Sequence, residues 1–312
     1  MADLQQENIA TTTDSPVTYA SSPFNDADAD VILRSSDNVY FKVFKLLLSM
    51  GSPLFKDMFS LPQPPTSSED GAGETKGGVP VIQVTETAKI LRMLLSMCYP
   101  MGAVDQPALD KLEDVDLLLD AALKYSVERV EKRAREALIA PPCMQGNEVR
   151  VFAIACHHGM EVEAKAAARA LLEQPILDME CGPELELLSA AKFFRLLKYH
   201  TACVKAARGA IANLQGTNTA PSSIAMHCNS CNYQRTFQPV AGKANITLAI
   251  LERIPSKKEI EKATETGGSM MSCTSCGQQK STSTVQSSRE LAASYIKELE
   301  DAISAVALDL QL

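Results

Sequence analysis

The sequence predicts an α+β protein: a small β-sheet with packed helices, then α-helical hairpins, then a small module with paired cysteines. Three observations support this prediction. Short β-branched and aromatic runs near residues 30 and 80 have the composition of strands, and the segments around them have the apolar spacing of amphipathic helices. From about residue 143 the pattern is helical and rich in Ala. The last part contains the pairs "CNSC" and "CTSC".

The composition is that of an ordinary globular protein. The chain has 312 residues and a mass of 33.7 kDa, enough for two or three compact units. Hydrophobic residues make up 46% and charged residues 22%, unlike a disordered or membrane protein. No apolar run is long enough for a membrane-spanning helix, and residues 1–22 are polar, without the features of a secretory signal. We therefore expect an intracellular protein, located in the cytoplasm, the nucleus or both.

The charge distribution argues against nucleic acid as the main partner. The net charge of −8 lies in the first 221 residues, which have 21 Lys and Arg against 29 Asp and Glu, whereas residues 222–312 have 9 of each sign. Binding to phosphates requires clustered cations that release counterions. No run of the sequence supplies such a cluster.

The first 140 residues predict a strand, a turn and a strand, then helices. The run "DVILRSSDNVYFKV" has two strand-like halves around a turn-like "SSDN". Ser52-Pro53 is a natural N-cap and first helical position, which divides the next apolar segment into two short helices. A Pro-, Ser- and Gly-rich loop at 61–78 precedes a third strand, "VPVIQV". Three further helices follow, in "ETAKILRMLLSMCY", "LEDVDLLLDAALKY" and "VERVEKRAREALI", the last with Ser126 as its predicted N-cap.

The second half predicts two helical hairpins and a terminal helix. Four Ala-rich stretches form the hairpins, with a short junction at Thr201 between the last two. An amphipathic helix begins at about Ser288, and two roles are open for its apolar face: packing in a core or contact with a partner. That face consists of Leu291, Tyr295, Leu299, Ala302, Ile303 and Val306.

Specific residues stand out within this order of elements, between about Phe24 and Ala140. They are Asp30-Val31, Phe41, Val43, Lys45, Leu48, "SPLFKDMF" from Ser52 to Phe59, "MCYP", and the segment from Asp114 to Val130. With these residues, the segment resembles the BTB/POZ domain, and particularly its fungal branch. The following segment, "VRVFAIACHHGMEVEAKAAARALL", looks like a BACK-like helical extension. At Phe44 the family usually has His, which shares a partly polar pocket with the Asp matched by Asp30.

This resemblance gives the predicted organisation of the chain. Residues 1–22 form a disordered tail, and residues 23–142 a BTB/POZ domain with a flexible insert at 60–79. Residues 143–216 form the BACK-like helical region, and residues 222–312 a CxxC-containing module with the terminal helix.

The resemblance implies a non-enzymatic protein-interaction module that forms a homodimer. Many BTB/POZ proteins are substrate adaptors of cullin-type ubiquitin ligases, and many of these contact the cullin through a hydrophobic-any-acidic triplet after the helix matched here by 52–59. The run from Phe59 to Asp70 contains no such triplet, which weakens the cullin role. An alternative function is a transcription-associated, zinc-containing factor acting on nucleic acid. Within the domain, we expect Leu54, Phe55, Met58 and Phe59 in the core.

The two cysteine pairs are the strongest chemical signal in the chain. Each CxxC turn presents two thiolates, and two such turns complete a tetrahedral shell around Zn²⁺. We therefore predict a structural zinc ion bound by Cys228, Cys231, Cys273 and Cys276, with no open position for catalysis. The 41 residues between the pairs have to fold back to close this site. Two alternatives remain: thiol turns that share no metal, and redox chemistry, for which the strand-to-helix context of a thioredoxin-like motif is missing.

The other candidate residues have structural interpretations. Cys98, Cys156 and Cys203 lie in apolar helical patterns and are predicted core residues, whereas Cys143 and Cys181 lie in predicted loops. The pair His157-His158, followed by Gly159, is typical of a helix end with a glycine C-cap. The Gly-rich run 71–78 lacks the flanking strand and helix of a phosphate-binding loop, and no nucleophile motif is present. An enzymatic function is therefore not predicted.

Overall fold

The computed structural model describes residues 18–61, 74–100, 104–176, 178–179, 182–216, 224–227, 234–237, 253–269 and 282–310. The chain divides into two compact units, Met1–Leu138 and Ile139–Leu312, which we call unit 1 and unit 2. Within the described ranges, no helix has the length and apolar character needed to cross a membrane.

Unit 1 contains a five-stranded mixed sheet in the spatial order β1-β3-β2-β5-β4. Its strands are β1 (Thr18–Tyr19), β2 (Val31–Arg34), β3 (Val39–Val43), β4 (Thr75–Lys76) and β5 (Val79–Gln83). Strand β2 pairs antiparallel with β3 and parallel with β5, so it lies at the centre. Val31, Ile32 and Leu33 are accordingly buried on both faces of the sheet.

The connection between β2 and β3 confirms the predicted strand, turn and strand. The Val39 N–H donates to the Ser35 hydroxyl oxygen at 2.9 Å, and the Ser35 N–H donates to the Val39 carbonyl at 3.0 Å. Asn38 has a φ of 61°, a left-handed conformation that Asn tolerates better than most residues. The residues "SSDN" therefore suit a turn whose backbone is left-handed at Asn38.

The described part of unit 1 also contains five helices, in the order that the apolar spacing predicts. They are α1 (Lys45–Gly51), α2 (Pro53–Ser60), α3 (Ala88–Cys98), α4 (Leu112–Lys124) and α5 (Glu128–Leu138). Helix α3 is the most buried of them, since most of its residues from Ile90 to Met97 are inaccessible to solvent.

The predicted flexible insert at 60–79 is too long. Helix α2 includes Ser60, and β4 and β5 form a hairpin in which Thr75 pairs with Pro80 and Lys76 with Val79. Gly77 and Gly78 form its turn with φ angles of 60° and 82°. A two-residue turn of this kind requires positive φ at both positions, so the two glycines serve a hairpin rather than a linker.

The prediction that Ser126 caps α5 is wrong. Ser126 has a φ of 53°, and the next N–H, that of Val127, donates to the Ala122 carbonyl at 2.8 Å. This geometry terminates α4 in the left-handed manner common at helix ends. Helix α5 then begins at Glu128, so Val127, not Ser126, precedes its first residue.

Unit 2 is mainly helical, with one described hairpin of strands. Its elements are α6 (Pro141–Met144), α7 (Glu148–His157), α8 (Glu161–Ala170), α9 (Ala190–Gly216), β6 (Ile224–His227), β7 (Gln234–Phe237), α10 (Lys257–Ser269) and α11 (Thr282–Ser304). Helices α7 and α8 pack against each other as the predicted first hairpin. Strands β6 and β7 pair antiparallel.

Helices α9, α10 and α11 share a hydrophobic core. Residues of α9 such as Cys203, Ala207 and Ile211 pack with Ile260 of α10 and with the apolar side of α11. On that side, the core residues are Ala292, Tyr295, Leu299 and Ile303, each at most 3% exposed. Of the two roles open for the terminal helix, the structure therefore supports core packing.

The predicted break at Thr201 is absent. The run "PELEL" forms a separate 3₁₀ helix, Pro183–Leu187, and α9 continues for 27 residues through Thr201. The segment from 190 to 208 has no Gly or Pro to interrupt it, and the Thr201 hydroxyl donates to the Leu197 carbonyl at 2.8 Å. Because this bond satisfies the hydroxyl inside the helix, threonine does not act as a junction here.

We predict opposite effects from two glycine-to-alanine substitutions in unit 2. Gly209 lies in α9 with no atom within 4 Å of an added Cβ, so Gly209→Ala should stabilise the chain by about 0.5–1 kcal/mol through higher helix propensity. Gly159 follows α7 in the left-handed conformation, with a φ of 68°. Because this conformation is unfavourable for a residue with a Cβ, Gly159→Ala should destabilise the chain by about 1 kcal/mol. Denaturant unfolding of the two variants tests this. Equal shifts of the same sign would contradict the assignment of these backbone conformations.

Candidate protein-interaction surface

Helix α1 exposes two large apolar side chains. Leu46 and Met50 are 70% and 77% exposed, and they lie side by side because they are four residues apart. Leu48, on the other face, is completely buried. The helix thus packs into unit 1 through one face and presents apolar surface to solvent through the opposite one.

Helix α2 and the residue after it add two more exposed apolar side chains. Leu54 is 44% exposed and Leu61 is 64% exposed. Helices α1 and α2 pack directly against each other. We call the exposed side chains of Leu46, Met50, Leu54 and Leu61 the α1–α2 surface.

The expected burial of α2 is correct only in part. Phe55 is 1% exposed, as predicted, whereas Met58 and Phe59 are half-buried. The prediction that Leu54 belongs to the core is wrong. One residue corresponds to a rotation of about 100° around the helix, so burial of Phe55 turns Leu54 toward solvent.

The start of α1 is fixed by Asp30 rather than by a histidine pocket. The Asp30 carboxylate accepts a hydrogen bond from the Lys45 backbone N–H at 2.7 Å. Lys45 is the first residue of the helix, whose N-terminal N–H groups have no partner within the helix and favour negative charge. Phe44, which replaces the usual histidine, is half-buried at the N-cap position and forms no side-chain cap. The aspartate therefore has a structural role that does not need the histidine.

Ser52 connects α2 to the end of α4. Its buried hydroxyl accepts a hydrogen bond from the Phe55 N–H at 3.0 Å, which confirms the predicted N-cap. The same hydroxyl donates to the Tyr125 carbonyl at 2.5 Å. Tyr125 is the C-cap residue of α4, so one side chain satisfies the ends of two helices.

An aromatic stack reinforces this connection. The Phe55 ring lies 4.9 Å from the Tyr125 ring with an interplanar angle of 10°, and 5.9 Å from the Phe59 ring with an angle of 13°. At its outer end, the Tyr125 hydroxyl donates to the Glu86 carboxylate at 2.6 Å. The Lys124 ammonium pairs with the other oxygen of Glu86 at 2.8 Å.

Burial and hydrogen bonding determine the protonation states of Tyr125 and Glu86. Burial raises the pKa of Tyr125, and the hydrogen bond to Glu86 and its negative charge raise that pKa further. Burial also raises the pKa of Glu86, but the hydrogen bonds from Lys124 and Tyr125 outweigh it and leave that pKa below its ordinary value. The phenol is therefore a donor and the carboxylate an acceptor at neutral pH.

Tyr125 and Glu86 are the residues of this site that sequence reasoning missed. They are 39 positions apart. Tyr125 follows helix α4 and Glu86 lies just before helix α3, and no local sequence motif marks either residue. The available signal was indirect: a Tyr at the end of an apolar helix has a hydroxyl that needs a partner when the ring is buried.

The four predicted zinc ligands lie outside the described residues. The strands that border the first pair are described: His227, the last residue of β6, pairs with Gln234, the first residue of β7. Cys228 and Cys231 belong to the six residues between these paired ends, and Cys273 and Cys276 fall between α10 and α11.

The other cysteines that the structure describes lie in helices, whereas Cys181 lies outside the described residues. Cys156 and Cys203 are buried as predicted, and Cys98 is half-buried. Burial raises the pKa of Cys98 and of Cys156 to about 11, so both are thiols at neutral pH. Cys143 was predicted in a loop, but it is fully buried in the short helix α6.

The two adjacent histidines end α7, as predicted. The His158 N–H donates to the Ile154 carbonyl at 3.1 Å, and Gly159 follows in the left-handed conformation. In unit 2, a cavity of about 490 Å³ lies between α8, α9, the end of α11 and the residues that follow it. It is lined by Lys165, Arg169, Tyr199, Ile303, Ser304, Val306, Ala307 and Leu308.

Unit 1 thus combines a small mixed sheet with helices, one of which leaves large apolar side chains in solvent, as at many sites of protein interaction. The family model of the BTB/POZ domain matches residues 22–141, which confirms a BTB/POZ domain in this part of the chain. BTB/POZ domains are generally protein-protein interaction modules rather than enzymes. A search of curated proteins finds no match to the chain.

We predict that Ser52→Ala destabilises unit 1 by about 1–3 kcal/mol, because it leaves the buried Phe55 N–H and Tyr125 carbonyl without a partner. The matched control is Ser60→Ala at the exposed end of the same helix, where the hydroxyl donates only to the Asp57 carbonyl. The control should change stability by less than about 0.5 kcal/mol. Chemical denaturation of both variants measures the difference, and equal effects would show that the Ser52 hydroxyl does not connect the helices.

Proposed function

We propose that this protein is a non-enzymatic scaffold that forms a homodimer through the α1–α2 surface of its BTB/POZ domain. The observation that carries the proposal is the exposure of Leu46 and Met50 on one face of α1. Isolated exposed leucines are common, but neighbouring apolar side chains on two packed helices are typical of an interface. A second copy is the expected occupant, since dimerisation is what the domain resemblance implies.

Comparison of the burial free energy with the cost of association favours a contact larger than α1 alone. Full burial of a Leu or Met side chain contributes about 1.5–3 kcal/mol. Leu46 and Met50 from two copies supply four such side chains, whose sum is similar to the roughly 4–15 kcal/mol that association costs. Leu54 and Leu61 add the further apolar area that a stable dimer needs.

Sedimentation velocity tests the dimer. The wild-type chain should sediment with twice the 33.7 kDa mass of one chain at micromolar concentration, and Leu46→Glu/Met50→Glu should sediment as a monomer, because two carboxylates per copy would be buried against each other. The matched control is Leu117→Glu/Leu123→Glu, which adds the same charge at two exposed leucines of α4. A monomeric wild type, or a control that dissociates equally, would contradict the proposed interface.

We propose in addition that Cys228, Cys231, Cys273 and Cys276 hold one structural zinc ion. Support comes from the spacing of each pair and from the antiparallel pairing of β6 and β7 on either side of the first pair. A strand hairpin with CxxC at its connection is a typical element of zinc ribbons. The metal would supply folding free energy to this part of the chain, and no catalytic step.

Elemental analysis tests the zinc site. Protein purified without chelators should contain about one equivalent of zinc, and Cys228→Ser/Cys231→Ser should lose it. Cys98→Ala is the control, since the raised pKa of about 11 keeps that thiol protonated and unsuited to bind metal. Absence of zinc from the wild-type chain, or its retention in the double variant, would overturn the site.

Two narrower functions stay predictions. The BTB/POZ domain supports a role as a cullin-type ligase adaptor. The missing hydrophobic-any-acidic triplet after Phe59 argues against that role. The alternative, a transcription-associated factor acting on nucleic acid, has the equal numbers of acidic and basic residues in 222–312 against it. A location in the cytoplasm, the nucleus or both likewise stays a prediction from the sequence.

A further inference from the structure

The cavity of unit 2 has a lining that combines cations, hydroxyl groups and apolar side chains. Its volume is about 490 Å³, and small-molecule sites commonly enclose about 300–1,000 Å³. Helix α8 supplies Lys165 and Arg169, α9 supplies Tyr199, and the end of α11 supplies Ile303 and Ser304. None of the described lining residues is an Asp or a Glu. The lining therefore favours a ligand that carries negative charge.

Arg169 is the lining cation with the most capacity for a ligand. It is half-buried in the last turn of α8. Among the residues that the structure describes, its guanidinium has neither an ion pair nor a hydrogen bond. A guanidinium stays charged and presents five N–H donors in a planar fork that matches the oxygens of a carboxylate or a phosphate. An oxyanion can therefore bind Arg169 without first displacing a described partner.

Two carboxylates near this wall are already paired with other cations. Glu161 pairs with the Lys165 ammonium at 2.5 Å, and Glu300 pairs with the Lys257 ammonium at 2.7 Å. The hydrogen bond and charge of Lys257 hold the pKa of Glu300 below its ordinary value, and the charge of Arg169 makes a smaller contribution without an ion pair. Neither carboxylate therefore occupies the Arg169 guanidinium.

Two hydroxyl groups add neutral donors to the lining. Burial raises the pKa of Tyr199 to about 12, so its phenol keeps its proton at neutral pH. That hydroxyl also lies near the Cys203 thiol, which is only a weak hydrogen-bond acceptor. Ser304 is the exposed last residue of α11, and its hydroxyl can donate as well. The polar part of the lining thus consists of groups that donate to an oxyanion, which accepts only.

The rest of the lining is apolar and continuous with the core of unit 2. Ile303 belongs to the core that α9, α10 and α11 share, and Val306 packs against that core. Val306 and Leu308 are half-buried where they line the cavity. An inorganic anion would leave these side chains in contact with water, whereas a ligand with an aliphatic part would cover them. The lining therefore matches an anion that also carries an apolar group.

We propose that this cavity binds a small amphipathic anion, with a carboxylate or phosphate group on the Arg169 guanidinium and an aliphatic part against Ile303, Val306 and Leu308. Carboxylates and phosphates share the oxygen geometry that a guanidinium recognises, so the oxyanion is the chemistry that the site selects. The proposal goes beyond the scaffold function, since a ligand in unit 2 requires neither the dimer nor the zinc ion.

Titration calorimetry of the full chain with five probes tests both parts of the ligand. Octanoate and octyl phosphate carry an oxyanion and an aliphatic part, and at concentrations where they are monomeric they should bind with a Kd of about 1 mM or lower. Octanol lacks the charge, whereas acetate and inorganic phosphate lack the aliphatic part. Each of these three should bind about tenfold more weakly than the matching amphipathic anion, because it uses only one part of the lining.

Two pairs of variants locate the binding. Arg169→Gln should weaken octanoate and octyl phosphate by about tenfold, whereas Arg289→Gln, at an exposed position of α11 about 21 Å along the helix from Ile303, should not. Ser304→Asp should weaken both probes about as much, because its carboxylate would compete for Arg169 and repel an anion. Its control, Ser304→Asn, has nearly the same size without the charge and should retain affinity within about threefold. Circular dichroism checks that helix content is unchanged in all four variants.

Several outcomes would overturn the proposal. These are failure of both amphipathic anions to bind, octanol binding as tightly as octanoate, inorganic phosphate binding as tightly as octyl phosphate, and equal losses in a variant and its control. If both anions bind as expected, the tighter one assigns the natural ligand to the carboxylates or to the phosphate monoesters. The Leu46→Glu/Met50→Glu variant should bind them like the wild-type chain, which separates this result from the fate of the dimer proposal.

Discussion

The hydroxyl of Ser52 is the contact on which the arrangement of unit 1 depends. Helices α1 and α2 have only seven and eight residues, too few to be stable alone in water. Ser52 begins α2 and holds the last turn of α4, and Phe55 then stacks on Tyr125 one turn further on. Since α1 ends at the residue before Ser52, this contact holds the C-terminal end of α1, as the Asp30 hydrogen bond holds its first residue. With Leu48 buried on the inner face, Leu46 and Met50 remain on the exposed one.

The parts of the fold that the sequence predicts are those with local causes. The β2–β3 turn, the Ser52 cap and helices α1 to α5 each follow from residues within a few positions of one another. The contact from Tyr125 to Glu86 does not, because it joins residues 39 positions apart. Ser126 shows a different limit: a serine before a helix resembles an N-cap, but here the end of α4 needs a left-handed residue at the same place. The sequence around Ser126 fits both an N-cap of α5 and a left-handed end of α4, and tertiary packing determines which of the two forms.

The candidate site shows the same division. Phe55 is buried as predicted, but Leu54, which was also expected in the core of the domain, is exposed, since an apolar run in the sequence does not give the width of the buried face. On α9, the spacing predicted helical stretches but not their continuity through Thr201, whose hydroxyl donates to the Leu197 carbonyl within the helix. The paired cysteines are recognisable from sequence alone because metal chemistry imposes their spacing. Exposure of a side chain, by contrast, is a property of the whole fold.

The parallel pairing of β2 with β5 also determines how unit 1 can assemble. Ile32 pairs with Val81, so the central strand of the sheet receives its second neighbour only after the hairpin, both short helices and the 62–73 segment have been made. Bringing such distant residues together costs loop-closure entropy before any contact repays it, and parallel pairing of this kind folds slowly. During synthesis, one edge of β2, with the apolar residues Val31 to Leu33, emerges well before its partner. The domain therefore has a period in which its most hydrophobic strand is open to pairing with another chain, and short α1 and α2 helices that pack early would limit that exposure.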